Sequence, residues 1–228
     1  MSCARIGLAT IFTFILSGCW EGMSRQVVAT ILSLRGQIVY SSKEAGSFEP
    51  ISSETKLGAG SILRTPTDGA INLALIPGAL TQISGDSELK IEELELTKDG
   101  NETGDAIRER IARIGFRRGG MVVLFDGFAR FTIQTPQATI TVLPGCLIRL
   151  DVDANRTRVT CVRGKIYAAQ KPGQISAVEA GYVCEWPSDH GPVPAADDPQ
   201  GQIDTTATLQ SGRELADLEA ARHDHLPL

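Results

Sequence analysis

The sequence is poor in histidine, in aromatic residues and in positive charge. Its 228 residues include three histidines, and aromatic residues make up 5% of the chain. All three histidines lie toward the C-terminus, so none is available in the main body for a hydrolytic triad. Lys and Arg number 22 against 27 Asp and Glu, and a net charge of −5 argues against nucleic acid as a partner.

Long hydrophobic runs are also missing. The apolar run near the N-terminus, Ile6 to Ile15, falls short of the ~20 residues that a membrane-spanning helix needs. Arg5 precedes this run and the small residues Ser17-Gly18 follow it, as in an export signal peptide. We therefore expect an exported protein.

Cys19 distinguishes two kinds of export. The tetrapeptide Leu16-Ser17-Gly18-Cys19 looks like a bacterial lipobox, in which the cysteine becomes the lipidated first residue of the mature chain. We expect a signal peptide over residues 1–18 and an anchor linker over 19–28. Trp20 rather than Asp follows the cysteine, which favours the periplasmic side of the outer membrane. An ordinary secretory signal, with Cys19 incidental, is the alternative.

Three short motifs resemble ligand sites but are incomplete. Gly58-Ala59-Gly60-Ser61 lacks the third glycine and the lysine of a phosphate loop. The set Asp151, Asp153 and Asn155 lacks the glycine and glutamate of a calcium loop, so a hairpin turn fits better. The tail His223-Asp224-His225 has no further metal ligand nearby. We expect no enzyme, no metal and no cofactor.

Glycine, in contrast, is abundant at 23 residues and separates segments of alternating apolar and polar residues. This pattern predicts strands in Ile31–Tyr40, Ile71–Ser84, Leu89–Leu96, Gly119–Pro136, Ala138–Val152 and Thr157–Ala169. The segment from Gly104 to Gly120 fits either a helix or a strand, and we favour a turn of helix after Asp105 followed by a strand.

The glycines recur at intervals of about 18 residues. Gly127, Gly145, Gly164 and Gly181 lie 18, 19 and 17 residues apart. This spacing suits either the coils of a β-solenoid or the paired strands of a sandwich, and both remain open. We expect six glycines to be scaffold positions at turns: Gly36, Gly60, Gly78, Gly145, Gly164 and Gly181.

The C-terminal region differs from the rest of the chain in amino-acid composition. Residues 187–210 begin with a stretch rich in Pro, Gly and Asp and are predicted to be a flexible linker. Ser211-Gly212-Arg213-Glu214 has the form of a capping box, so we predict a short helix and tail over residues 211–228.

The region 29–186 resembles the FecR domain family. The resemblance lies in the order of glycine-punctuated strands, among them "LRGQIVY", "LGAGSILRTPTDGAINLAL", "FTIQTPQATITVLPG" and "RTRVTCVRGKI". It implies an all-β extracytoplasmic domain, solenoid-like or sandwich-like, that receives or transmits signals by contact with another protein. In the regulators that gave the family its name, a cytoplasmic anti-sigma segment and a membrane helix precede this domain. Here the lipobox lies within the first 20 residues, so we do not expect direct anti-sigma action.

Two function classes follow. The first is a non-enzymatic sensory or regulatory module, tethered by lipid, that binds another envelope protein. The second is a structural envelope protein that binds glycan or peptidoglycan. Sugars stack on exposed aromatic rings, and the candidates are few: Tyr167, Tyr182 and Trp186. We therefore favour the envelope protein as partner.

Three cysteines remain beyond the lipid site: Cys146, Cys161 and Cys184. An oxidising compartment favours disulfides between thiols within reach of each other. A two-residue loop at Asp153-Ala154 would pair residues whose numbers sum to 307 and place Cys146 opposite Cys161. We expect a Cys146–Cys161 disulfide, with Cys161–Cys184 as the alternative.

The lipobox generates the first testable prediction. Cys19→Ala removes the thiol that carries the lipid, so the variant should leave the membrane fraction when cells are fractionated with detergent. Membrane retention equal to that of the wild type would contradict lipidation at Cys19.

Overall fold

The computed structural model describes residues 23–98, 107–171 and 174–224. The chain forms strands throughout, followed by one long helix. The strands are β1 Met23–Gln26, β2 Thr30–Arg35, β3 Val39–Ser41, β4 Glu49–Pro50, β5 Ile62–Arg64, β6 Ala70–Ile76, β7 Ala79–Ile83, β8 Glu88–Lys98, β9 Ile107–Phe125, β10 Arg130–Gln134, β11 Thr139–Val142, β12 Cys146–Val152, β13 Thr157–Arg163, β14 Lys165–Lys171, β15 Gln174–Glu179, β16 Tyr182–Trp186 and β17 Val193–Pro194. A 3-10 turn, Ala195–Asp197, leads into helix α1, Pro199–Asp224.

The strands form two sheets that face each other across one core. Sheet 1 has the order β4-β3-β5-β8-β9-β10-β11-β14-β15, with β1 paired to the far end of β8. Sheet 2 has the order β2-β6-β7-β9-β12-β13-β16-β17. Among the described strands every pair is antiparallel except β9 with β10. This antiparallel pairing identifies a sandwich, because a solenoid stacks its coils as parallel strands.

Strand β9 belongs to both sheets. Its first part pairs with β8 and β10 in sheet 1, and its last part, from Gly119, pairs with β7 and β12 in sheet 2. Even-numbered residues such as Ile114 and Phe116 face the core before this point, and odd-numbered ones such as Val123 and Phe125 do so after it. The strand therefore changes face as it crosses from one sheet to the other.

Gly119 is where this change of face occurs. Its φ is +100°, and a Cβ there would lie 2.0 Å from the Ser87 hydroxyl oxygen. Only glycine fits both the backbone angle and the space.

The helical turn expected after Asp105 is wrong from Ile107 onward, because this segment is the first part of β9 and buries Ala112 and Ile114. Asp105 itself lies outside the described residues.

The core joins both sheets in one apolar cluster. Phe125 of sheet 2 meets Phe131 of sheet 1 edge to face, with ring centroids 5.5 Å apart. Both rings are fully buried, as are Ile91, Leu73 and Ile148 from neighbouring strands. The predicted strand segments are confirmed, and the all-β class with them, because each alternating segment places its apolar residues in this core.

The glycine turns are also confirmed. All six predicted scaffold glycines have a positive φ, between 80° and 90°. Gly119 is a further glycine of this kind that the spacing did not indicate, because it lies within a strand rather than at a turn.

The predicted C-terminal linker and helix need correction. Helix α1 begins at Pro199, so the Ser211 capping box lies inside it and residues 199–210 are helical. Asp198 caps the helix, since its carboxylate accepts a hydrogen bond of 2.8 Å from the Gly201 amide, and proline suits the first helical position. The Gly201 amide, and then the Arg158 guanidinium, lower the pKa of Asp198 from its ordinary value.

Helix α1 packs on the outer face of sheet 2. Leu215 is fully buried there in a cluster with Leu80, Leu124 and Leu147. Much of its buried face consists of small or polar residues, namely Gly201, Asp204, Thr208 and Gly212, so no strong apolar stripe marked this helix in the sequence. No helix among the described residues is both long enough and apolar enough to cross a membrane.

The anchor linker predicted over residues 19–28 extends too far, because part of this range forms a strand. Met23–Gln26 forms β1, which pairs with β8 from Lys98 to Glu95. The short polar sequence of β1 gives no alternation, so only pairing with β8 identifies it as a strand. Residues 1–22, including Cys19, lie outside the described residues.

Two glycines with the same backbone angle make a matched test of the turns. Gly164 (φ +83°) has the Cys146 Cα, the Cys146 sulfur and the Gly145 carbonyl oxygen within 2.9 Å of a would-be Cβ, whereas Gly181 (φ +85°) has open space. Gly181→Ala should lower the free energy of unfolding by about 1–2 kcal/mol through backbone strain alone. Gly164→Ala should lower it by about 1–3 kcal/mol more through overpacking. Urea denaturation measures both, and equal losses would contradict the packing around Gly164.

Candidate interaction surface

The β14–β15 hairpin ends sheet 1 and is the candidate interaction surface. Ile166, Ala168 and Val178 point inward and are fully buried, which fixes the hairpin on the core. Tyr167 and Ala177 lie opposite each other on the outer face, and Ile175 lies opposite Ala169. Of the described strands, only β14 pairs with β15. One edge of β15 is therefore open.

The pairing register shows which backbone groups face that open edge. The Ala180 amide donates to the Gly164 carbonyl at 3.0 Å, which makes this a hydrogen-bonded pair. In an antiparallel ladder such pairs alternate with pairs that are not hydrogen-bonded. Val178 and Ser176 therefore bond to β14. The N–H and C=O groups of Ile175, Ala177 and Glu179 point away from it.

The other sheet edges are less suited to strand addition. Three of the other edge strands are short, with four residues in β1 and two each in β4 and β17. Strand β2 has six residues, but a register shift between Ile31 and Ser33 interrupts its pairing. Short strands and bulges are the usual protections of an edge. From Ile175 to Glu179, β15 has neither.

Exposed apolar side chains flank the open edge. Ile175 is 68% exposed, and the residues Tyr167 and Tyr182 are 38% and 39% exposed. A cleft of about 220 Å³ lies beside the strand, lined by Ala177, Glu179, Tyr182 and Pro192. An added strand would find backbone partners at the edge and apolar contacts on its outer side.

One ion pair lies at the C-terminal end of β15. Lys165 Nζ is 3.0 Å from a Glu179 carboxylate oxygen and 5.3 Å from the centroid of the Tyr167 ring. The hydrogen bond to Glu179, followed by the Tyr167 neighbour, raises the pKa of Lys165. The lysine stays charged, and the edge as a whole carries little net charge.

The arginines beneath α1 bind the helix. Arg158 reaches Glu185 at 2.5 Å, Asp198 at 3.0 Å and Asp204 at 3.6 Å. Arg149 holds Asp151 through two hydrogen bonds of 2.7 Å. These guanidinium groups are matched by carboxylates of the sheet and helix, so this cluster fixes the position of α1 on sheet 2.

The incomplete ligand motifs form turns. Ser61 N–H donates to the Gly58 carbonyl at 3.1 Å, as in a tight turn. Asp153 accepts a hydrogen bond from the Asn155 amide at 2.8 Å and closes the β12–β13 loop. Within the described part of the chain, no group of His, Cys, Asp or Glu is arranged to hold a metal ion. His225 lies outside that part.

The register of the β12–β13 hairpin differs from the expected one by two residues. The loop contains four residues, 153–156, and the Asp153 amide donates to the Arg156 carbonyl at 2.8 Å. Cys161 consequently lies opposite Ile148 rather than Cys146. The predicted Cys146–Cys161 bond and its Cys161–Cys184 alternative are not formed, and all three thiols are free and buried.

Each cysteine is instead a small buried residue. The Cys146 thiol donates to the Lys165 carbonyl at 3.0 Å and accepts from the Lys165 amide at 3.2 Å, which ties β12 to the β13–β14 turn. Burial, with the neighbouring Cys146 second, raises the pKa of Cys161 to about 12. Burial also raises the pKa of Cys146 and Cys184. Such thiols react slowly at neutral pH.

The aromatic residues considered for glycan binding do not form a platform. Trp186 is 2% exposed and belongs to the core. Tyr167 and Tyr182 are exposed to a similar extent, but they lie on strands of different sheets, and Lys165 Nζ lies 5.3 Å from the centroid of the Tyr167 ring. Proximity in sequence did not indicate these different environments. Tyr167 lies on the outer face of β14, whereas Tyr182 and Trp186 share one face of β16 and differ because Tyr182 begins the strand.

No family model matches the chain, and no curated protein matches it. Among solved structures, two crystal structures of "a putative anti-sigma factor" from Parabacteroides distasonis ATCC 8503, at 1.65 Å and 2.50 Å, resemble it. Each alignment covers 57% of this chain and 56% of that chain, with 12% identity and a TM-score of 0.40. The match spans little more than half of those chains. A likeness at this level assigns neither a family nor a function.

Proposed function

We propose that this protein is a lipid-anchored, non-enzymatic module of the bacterial cell envelope that binds another envelope protein. The partner contributes an extended segment, which adds to sheet 1 along β15. The module acts in sensing or regulation, a role suggested by the resemblance of region 29–186 to the FecR domain.

The open edge of β15 is the observation that carries this proposal. Ile175, Ala177 and Glu179 direct three N–H and three C=O groups outward in a regular strand. An extended peptide satisfies such groups by continuing the ladder, and its backbone supplies much of the affinity. Since alternate side chains of the added strand face the same way, a few pockets suffice for specificity.

The flanking side chains favour an apolar segment. Tyr167, Ile175 and Tyr182 offer rings and an aliphatic chain beside the edge, and Glu179 is already paired with Lys165. Aromatic residues are enriched at protein interfaces because they contribute a large area with little loss of conformational freedom. We expect the bound segment to place an apolar residue in the cleft beside Ala177.

Glycan binding is the weaker candidate. Sugar recognition uses stacking on exposed rings, and Trp186 is buried in the core. The partly exposed rings of Tyr167 and Tyr182 lie on strands of different sheets and offer a small stacking surface. The protein partner is therefore preferred over peptidoglycan.

Substitution of Ala177 by proline tests the proposal. Its N–H faces the open edge, so Ala177→Pro keeps the bonds to β14 while it removes one outward donor and adds a ring that blocks an incoming strand. Binding should weaken at least about tenfold, because one hydrogen bond is worth about 1 kcal/mol and the ring adds a clash. A photoreactive phenylalanine analogue at position Tyr182, in intact cells, reports the contact as a crosslinked product identified by mass spectrometry.

Ala177→Val is the matched control, since valine retains the amide and suits a strand. The crosslinked product should persist in this variant and be lost in Ala177→Pro, while both variants keep the wild-type thermal stability within a few degrees. A protein adduct that forms equally in both variants would contradict strand addition. An adduct to peptidoglycan would instead support the glycan candidate.

A further inference from the structure

The point where the chain enters the fold lies at the same end of the sandwich as the most exposed apolar side chain. In sheet 1 Glu95 pairs with both Gln26 of β1 and Ile111 of β9, and Ile111 pairs with Arg130. Strand β1 starts at Met23, beyond this row, and β10 starts at Arg130, just after the loop 126–129. We name this end the entry end: Met23, the hairpin 76–79, the loop 126–129 and the turn 143–145.

Phe128 projects from the entry end. Its side chain is 88% exposed, the highest value among the large apolar residues of the described chain. The loop beneath it is fixed, because the Asp126 amide donates to the Gly78 carbonyl at 2.9 Å. Gly127 packs so closely on Gly78 that a Cβ on Gly78 would lie 2.6 Å from the Gly127 Cα. The ring is thus held outward by a closely packed loop.

The surface around Phe128 includes exposed prolines, and three arginines near it are held by other groups of the protein. Pro77 and Pro144 are exposed on the neighbouring turns. Arg163 pairs with Asp126 at 2.9 Å, and Arg130 pairs with Glu109. Arg110 donates to the Pro77 carbonyl at 3.3 Å. A surface of this kind suits a lipid bilayer, which has an apolar interior beneath a polar interfacial layer.

The lipobox sets the distance to that bilayer. Cys19 lies four residues before Met23 in the chain. Four extended residues span at most about 14 Å. A lipid on Cys19 would therefore hold the entry end, rather than the opposite end of the sandwich, close to the membrane surface.

We propose that the entry end rests on the membrane and that Phe128 inserts into the interfacial layer of the bilayer. This inference depends on the lipid anchoring stated under the proposed function. Two contacts, the lipid and the ring, orient the module on the membrane. Because Arg163 and Arg130 are paired with carboxylates, and the Phe128 ring supplies the contact, the contact forms on zwitterionic lipid and persists at high salt.

The test places a fluorescent reporter at the ring position in the full, processed chain. Phe128→Cys is labelled with a polarity-sensitive maleimide dye and reconstituted in phosphatidylcholine vesicles. Cys146, Cys161 and Cys184 are buried, so the introduced thiol takes up the dye. Asp68→Cys is the matched control, since Asp68 is exposed on the turn before β6, at the opposite end of sheet 1.

The label at position 128 should shift to shorter emission wavelength in vesicles and be quenched by brominated lipid, at low and at high salt. The label at position 68 should show neither effect. If both labels stay in water while the protein remains on the vesicles, anchoring stands and the inference is overturned. If the parent protein takes up dye at Cys19 and does not float with vesicles, the anchoring itself has failed and the inference with it.

Discussion

The crossing of β9 between the two sheets is the constraint on which the rest of the fold depends. One strand of 19 residues pairs with β8 and β10 on one side of the core and with β7 and β12 on the other. Gly119 permits the change of face, and the Ser87 hydroxyl occupies the space that a side chain at this position would need. Phe116 and Phe125, on either side of that glycine, therefore both point into the same core.

The two sheets then differ in how their outer surfaces and edges are used. Helix α1 covers the outer face of sheet 2, held by Arg158 at its N-terminal part and by Leu215 further along. The outer face and terminal edge of sheet 1 have no such cover among the described residues. That contrast leaves β15 as the accessible edge, while Phe128 projects from the entry end, where β1 begins. Partner binding and membrane contact would thus use different parts of sheet 1 and its loops.

Local patterns in the sequence predicted most of the longer strands and their turns, but not the relations between distant segments. Alternation and glycine spacing identified the hairpins, because burial on one face and a positive φ at Gly78 or Gly164 are properties of a few adjacent residues. The cysteine register failed because two extra loop residues moved Cys161 opposite Ile148. The start of α1 was missed because its buried face is made of small and polar residues. The open edge of β15 could not be predicted, since it depends on where every other strand lies.

The central claim is that one edge of β15 is open to an added strand. Hydrogen exchange of the individual β15 amides, measured by NMR, tests it most directly. The account predicts alternation along the strand: the amides of Ser176 and Val178, bonded to β14, exchange slowly, while those of Ile175, Ala177 and Glu179 exchange at rates near those of unstructured chain. Slow exchange at Ala177 equal to that at Val178, in the protein without its partner, would contradict an open edge.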